Sequence, residues 1–223
     1  VNSETQYNCF EPRTLVDLHP DLSRNLNDGW ETLVGISATA VKASALSLDR
    51  EPESFLGLMD RGDEVELSSL SHTVQRFCRY GSEGKRIAFG SHTDSTFFTV
   101  IPVASSVLQP GVQVFSQGQW LCPETNCDAE TDVLIMTGEF LQVLSNGVYP
   151  AAVHRVNRPR HGSRVSTPML VRGKPSAFLE RHVPTGLYPA NVKASDLHQL
   201  LLRLSSEDTE ERVLKKTCVE KTG

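Results

Sequence analysis

The sequence predicts a mainly β protein with flanking helices, and three observations carry that prediction. Between Thr73 and Val171 the chain passes through seven short stretches rich in β-branched and aromatic residues. Each is closed by turn residues, at the spacing of an all-β sandwich, barrel or jelly roll. One long apolar repeat of helical period lies ahead of them and a shorter one behind. The composition, 39% hydrophobic and 22% charged over 223 residues, is globular and excludes collagen-like, coiled-coil and broadly disordered organisation.

The first 28 residues carry Pro12 and Pro20 without a sustained period, and they read as an irregular lead-in. From Trp30 the apolar residues Leu33, Val34, Val41, Ala45 and Leu48 follow at helical spacing, a buttressing helix of roughly five turns that Glu51-Pro52 stops. The charged Asp60 to Glu66 is a loop. The expected strands are Thr73 to Tyr80, Ile87 to Ser91, Phe97 to Val103, Val112 to Phe115, Val133 to Met136, Ala151 to Val156 and Arg164 to Val171. Asn146-Gly147 marks a turn among them. Trp120 and Phe97 read as core. After Pro189 the period turns helical again, with Ser195 as N-cap and Leu197, Leu200, Leu201 and Leu204 on one face. No composition break divides the chain. It reads as one domain, with lead-in and buttress over 1–66, β core over 67–185 and helical tail over 186–223.

Lys plus Arg is 22 against 27 Asp plus Glu, a net charge of -5 that disfavours a general polyanion binder such as a nucleic-acid protein. No apolar run approaches the roughly 18 residues of a membrane span. The N-terminal Val-Asn-Ser-Glu-Thr-Gln lacks a signal-peptide pattern. A cytoplasmic monomer with reduced thiols is the expectation. Of the five cysteines, Cys122 and Cys127 flank Pro-Glu-Thr-Asn in a loop, a spacing that suits bland thiols better than a reversible disulfide or a zinc site.

Chemistry concentrates in one constellation. Most of the seven histidines have no neighbour that singles them out. His92-Thr93-Asp94 differs, because at a strand period of two His92 and Asp94 share a face and can chelate one metal ion. On its own His-x-Asp is a weak signal and needs a third ligand. His154, in the apolar run Ala-Ala-Val-His-Arg-Val, stands 60 residues after Asp94. Two His and one carboxylate form the facial set that holds non-haem Fe(II) with open positions, and a zinc-water site is the competing reading. Arg164 and Ser166 share a strand face ten residues beyond His154. An isolated Arg-x-Ser is more often an exposed strand pair, but a guanidinium inside a barrel beside a metal suits a carboxylate gripped bidentately. The neighbouring Arg158, Arg160 and His161 read as a solvated turn.

The ordered run His92-x-Asp94, His154, Arg164-x-Ser166 resembles the 2-oxoglutarate- and Fe(II)-dependent dioxygenase superfamily, in the branch that contains isopenicillin N synthase and the plant-type soluble oxygenases. Gly90 to Ser95 is similar to that branch's first metal-ligand segment, Pro110 to Val114 with Gly118-Gln119-Trp120 to its hairpin, and Ser145-Asn146-Gly147 through Val156 to its second. Tyr80, in Arg76-Phe77-Cys78-Arg79-Tyr80, stands where the branch carries a tyrosine that hydrogen-bonds the co-substrate. Cys78 departs from the Asn that many members place two positions earlier.

The resemblance implies a double-stranded β-helix (jelly-roll) core with Fe(II) at one mouth on His92, Asp94 and His154. It implies 2-oxoglutarate as co-substrate, its far carboxylate held by Arg164, Ser166 and Tyr80, with O₂ consumed and ascorbate as an accessory reductant. The implied activity is an oxidoreductase, a hydroxylase of an unactivated C–H bond in a small organic molecule, releasing succinate and CO₂. An oxidase of the same branch that uses no 2-oxoglutarate is the alternative, and a non-catalytic jelly-roll binding module a remote one.

Overall fold

In the computed structural model the described residues are 5–10, 20–62, 73–103, 110–179 and 192–206, with backbone alone at 5–10 and 202–206. The lead-in is more ordered than expected. Strand β1 (Thr5–Phe10) pairs antiparallel along its whole length with β2 (Val74–Gly81), from Thr5 opposite Tyr80 to Phe10 opposite Gln75. Its sequence carries no strong strand period because the partner's backbone, not its own pattern, holds it extended.

Helix α1 runs Pro20–Leu46, starting ten residues earlier than its apolar period, with Pro20 at the first turn where a missing N–H costs nothing. Trp30, Leu33, Val34, Val41 and Ala45 are buried along one stripe, as expected. The helix ends before Pro52. Asp49 takes φ 54°, Arg50 N–H donates to Ala45 O and Asp49 N–H to Leu46 O, a Schellman stop. Pro52 instead opens a short α2 (Pro52–Leu56).

The β core forms two sheets. One contains β1, β2, β4 (Phe98–Pro102), β7 (Val133–Thr137), β9 (Ser163–Ser166) and β10 (Met169–Val171), in the order β1-β2-β10-β4-β7 with β9 also against β2. The other has the order β3-β8-β5-β6, from β3 (Ile87–His92), β5 (Val112–Ser116), β6 (Gln119–Leu121) and β8 (His154–Asn157). The expected Arg164 to Val171 strand is broken in two at Thr167-Pro168, and the Pro168 carbonyl accepts Arg76 N–H. β6 is absent from the strands read by period, but it is the second arm of the hairpin that the resemblance implies, turned at Gln117-Gly118, both at positive φ. Asn146-Gly147 does make a turn, immediately after helix α3 (Glu139–Leu144).

Alternation along the central strands sorts their side chains. Phe98, Val100, Met169 and Val171 face outward into the main core, with Trp30, Phe55, Phe97, Phe140 and Leu197 of the helical layer. Thr99, Ile101 and Leu170 face inward onto a cavity between the sheets. Helix α4 (Ala194–Ser206) closes that layer through Leu197 and Leu201, while Leu200 is exposed. The Leu204 side chain lies outside the described residues. Asp196, not Ser195, makes the capping contact, its carboxylate accepting Lys193 N–H at 3.2 Å.

No helix among the described residues is long and apolar enough to cross a membrane. Cys122 and Cys127 are free thiols. The two flank a 3-10 turn, Pro123–Asn126, and join no metal-binding group among the described residues. Phe97 is core as expected. Trp120 is not: it is half-buried against Phe115, with the Arg155 guanidinium 4.0 Å above its ring.

Candidate metal centre and anion pocket

β3 and β8 bring the two histidines face to face. His92 is directly opposite His154 in the ladder, after two register shifts that carry β3 past Phe89. The ring centroids lie 4.2 Å apart. Asp94 follows just beyond the strand end, its two oxygens each 3.6 Å from one imidazole, Oδ1 from His92 Nε2 and Oδ2 from His154 Nε2. Among the described residues these three are the one group whose ligand atoms cluster, all within 4.8 Å of one another. Sequence spacing leads to this set, and the fold assembles it.

The other donors are already engaged. His92 Nδ1 lies 2.8 Å from Gly90 O and His154 Nδ1 3.1 Å from Ala152 O, the same backbone contact two residues upstream. Each contact favours the tautomer with the proton on Nδ1 and a lone pair on Nε2. Thr99 Oγ1 donates to Asp94 Oδ2 at 2.5 Å. The loop is braced from α3, where Glu139 N–H donates to Asp94 O and Thr93 Oγ1 donates to the Glu139 carboxylate. Burial, reinforced by His154, lowers the His92 pKa to about 4, so its imidazole is neutral at pH 7. For Asp94 burial works toward the neutral acid, but His154, His92 and the Thr99 hydroxyl outweigh it and hold the carboxyl below its usual range. A largely buried cluster of two imidazoles and one carboxylate has the chemistry of a divalent-cation site.

The cavity opens to solvent and, with the space at its mouth included, measures about 530 Å³; the strands around it contribute alternate residues. β2 supplies Arg76, Cys78 and Tyr80; β9 supplies Arg164 and Ser166. Cys78 and Ser166 are paired across the ladder, as are Tyr80 and Arg164, so the expected anion-binding residues stand on two adjacent strands. Phe89 meets the His92 ring edge-on at 4.4 Å.

One expectation needs correction. Arg164 does not offer a free two-armed fork, because its Nη2 is already paired with the Glu124 carboxylate. Glu124 sits in the 3-10 turn after β6 and is buried, and its Oε2 accepts Gly111 N–H at 2.6 Å and Val112 N–H at 3.0 Å. Nothing periodic in Cys-Pro-Glu-Thr-Asn-Cys marks that acid. The usable signal is physical, since an arginine placed inside a barrel needs a counter-charge. Arg164 Nη1, by contrast, is buried with no hydrogen-bond partner among the described residues. An orphaned guanidinium arm lining the same cavity as the His-Asp-His cluster fits a small molecule anionic at one end and chelating at the other.

Comparison with known proteins agrees with this architecture. Residues 70–173 match the family model of the 2OG-Fe(II) oxygenase superfamily. The chain is 32% identical over 111 residues to 1-aminocyclopropane-1-carboxylate oxidase 1 of Arabidopsis thaliana, covering 49% of this chain and 34% of that protein. It is 29% identical over 136 residues to flavonol synthase/flavanone 3-hydroxylase of Eustoma exaltatum subsp. russellianum, covering 60% and 37%. The chain thus spans about a third of the length of these curated relatives. A 2OG-Fe(II) oxygenase family protein from Caulobacter crescentus superposes with a TM-score of 0.65 at 20% identity, over 90% of this chain and 69% of that one. JOX2 in complex with 2OG, Fe and JA superposes with a TM-score of 0.65 at 17% identity, over 88% and 60%. The two sheets are a double-stranded β-helix, and residues 70–173 form a domain of the 2OG-Fe(II) oxygenase superfamily.

Proposed function

We propose that the chain is an Fe(II)- and 2-oxoglutarate-dependent oxygenase that hydroxylates a C–H bond of a small organic molecule. The observation that carries this is the meeting, in one cavity, of the His92-Asp94-His154 cluster with Arg164 Nη1, which has no hydrogen-bond partner among the described residues. His92 Nε2, His154 Nε2 and an Asp94 oxygen are the iron ligands in this reading. Arg164 Nη1, the Ser166 hydroxyl and the Tyr80 hydroxyl hold the far carboxylate of 2-oxoglutarate. When bound, iron, 2-oxoglutarate and O₂ together supply the oxidant, with succinate and CO₂ as co-products.

The chain's own residues do the rest. The Nδ1 contacts to Gly90 and Ala152 keep the ligand lone pairs aimed inward. Thr99 stops Asp94 from rotating away. Ile101, Val112, Val156 and Leu170 wall the cavity with apolar surface, which keeps water off the reacting groups. Ascorbate serves as an external reductant in this scheme.

A second reading is favoured by one observation. With Glu124 already on Arg164, the anion end is partly neutralised, which suits an oxidase of the same fold that takes no 2-oxoglutarate. An anaerobic titration with Fe(II) and then 2-oxoglutarate separates the two, read by the visible charge-transfer band of the chelate. His154→Ala abolishes the band. Arg164→Leu keeps metal binding but raises the 2-oxoglutarate requirement on the order of 100-fold, the loss of a buried charge-assisted contact. Iron binding with no band overturns the 2-oxoglutarate reading in favour of the oxidase, and no iron binding overturns both.

A further inference from the structure

We propose that Glu124 sets the strength and selectivity with which the cavity holds an anionic 2-oxo acid, acting as a resident counter-charge to Arg164 that an incoming carboxylate must share. The inference rests on the reading that Arg164 receives the far carboxylate of 2-oxoglutarate.

The pair is locked on both sides. Glu124 is 3% exposed, and the Gly111 and Val112 amides fix its Oε2 while Oε1 takes Arg164 Nη2. It cannot turn to solvent without stranding two amides and a guanidinium. Arg164 is 2% exposed and lies flat against Gly111, where a Cβ would stand 3.0 Å from each of Cζ, Nε and Nη1. The Tyr80 ring covers it at 5.9 Å. Glycine at position 111 is therefore what allows the guanidinium to approach the turn that also anchors Glu124. With the plane fixed, the arm left over is Nη1.

A carboxylate arriving at Nη1 places two negative groups on the two arms of one cation, in a site poor in water. Their mutual repulsion opposes the attraction to Arg164. Removing the Glu124 charge while keeping its shape has two linked consequences. The empty protein loses stability, because Arg164 is left buried and uncompensated. A ligand carboxylate then supplies the missing charge and binds more tightly. A 2-oxo acid with the same chelating head but an uncharged tail gains nothing. Glu124 thereby narrows the preference for a dianion that an unopposed arginine would impose.

The test uses the Fe(II)-loaded full chain under anaerobic conditions. Dissociation constants for 2-oxoglutarate and for 2-oxohexanoate, its neutral-tailed counterpart, are measured in wild type, Glu124→Gln and Glu124→Asp. Glu124→Gln tightens 2-oxoglutarate about tenfold and leaves 2-oxohexanoate within about twofold. Its metal-free melting temperature falls. Glu124→Asp, which keeps the charge but draws it back from the guanidinium, shifts the ratio of the two constants in the same direction by a smaller factor. It carries the test if the Gln variant does not fold. A ratio that is unchanged or falls in the variants overturns the proposal and leaves Glu124 as scaffold. Wild-type protein that binds Fe(II) but neither acid overturns the parent reading, an outcome visible before any variant is made.

Discussion

At the His92 end of the cavity the polar atoms that a cation does not need are already capped, whereas at the Arg164 end the strongest donor is half consumed by the protein itself. Gly90, Ala152 and Thr99 occupy the outer atoms of His92, His154 and Asp94, which leaves the inward atoms facing one another. Glu124 and Gly111 occupy one arm and one face of Arg164, which leaves Nη1. Both ends are preorganised, but for different ligands and by different means. The metal end keeps an excess of lone pairs that only a cation resolves, while the Arg164 end is close to electrically balanced before anything binds. Charge balance therefore does structural service at one end and functional service at the other.

The largest effect that tests this contrast is on the stability of the metal-free protein. Glu124→Ala leaves Arg164 buried without its partner and should lower the unfolding free energy by about 3–5 kcal/mol. Asp94→Ala removes a carboxylate whose firmest tie is the Thr99 hydroxyl and should cost about 1.5–3 kcal/mol, the range of one charge-assisted hydrogen bond. Urea denaturation of the two variants beside wild type at pH 7 measures both. Equal losses, or a larger one for Asp94→Ala, would break the contrast.

A smaller effect sharpens the metal end alone. Thr99→Val preserves shape inside the barrel but removes the donor to Asp94 Oδ2. Metal affinity should fall by about tenfold, the low end of what supporting hydrogen bonds contribute. Once metal is saturating, the 2-oxoglutarate constant should not move, because the Thr99 hydroxyl is spent on Asp94 at the far end of the cavity from Glu124. Titration with Mn(II), followed by 2-oxoglutarate, reads the two constants separately. A shift in the second would show that the two ends are mechanically joined.

The same contrast explains what can be read from the sequence. The metal ligands are legible because strand geometry converts His-x-Asp and a distant strand histidine into one cluster, and each of the three lies in or beside an apolar run that announces the strand. Arg164 and Ser166 are legible for the same reason. Glu124 is not: it sits in a turn, its partners are two backbone amides and a side chain 40 residues away, and no local pattern encodes such a contact. Thr99 is hidden differently, as one inward residue in the buried run Phe98–Ile101 whose hydroxyl meets Asp94 and Thr96 only once the β3–β4 connection has folded back. Among the elements, α1 is evident from its apolar stripe, but its first ten residues carry no fully buried side chain to mark them, and β1 is held by pairing and not by period. Pro52 reads as the stop of one helix and in fact opens the next, since proline suits a first turn as well as it prevents a continuation.

The smallest expected effect concerns protons at the metal end. The His92 pKa is lowered by burial, then by His154, from 6.5 to about 4, so the folded protein binds its proton less readily than the unfolded chain does. Well above pH 6.5 both states are neutral at this residue and it contributes nothing to the pH dependence. As pH falls from 6.5 toward 4 the unfolded chain takes up a proton that the native site refuses, and stability declines. Between pH 7 and pH 5.5 Asp94 is silent, because its carboxyl is ionised in both the native and the unfolded chain. Between about pH 7 and about pH 5.5 the loss assignable to His92 is about 1 kcal/mol. Urea midpoints of metal-free wild type and His92→Gln at the two pH values measure it, since the histidines outside the site cancel in the difference. A slope of the same size in both proteins would mean that His92 is as free to protonate in the native state as in the unfolded chain. The metal end would then lack the dry, neutral imidazole on which its affinity for a cation depends.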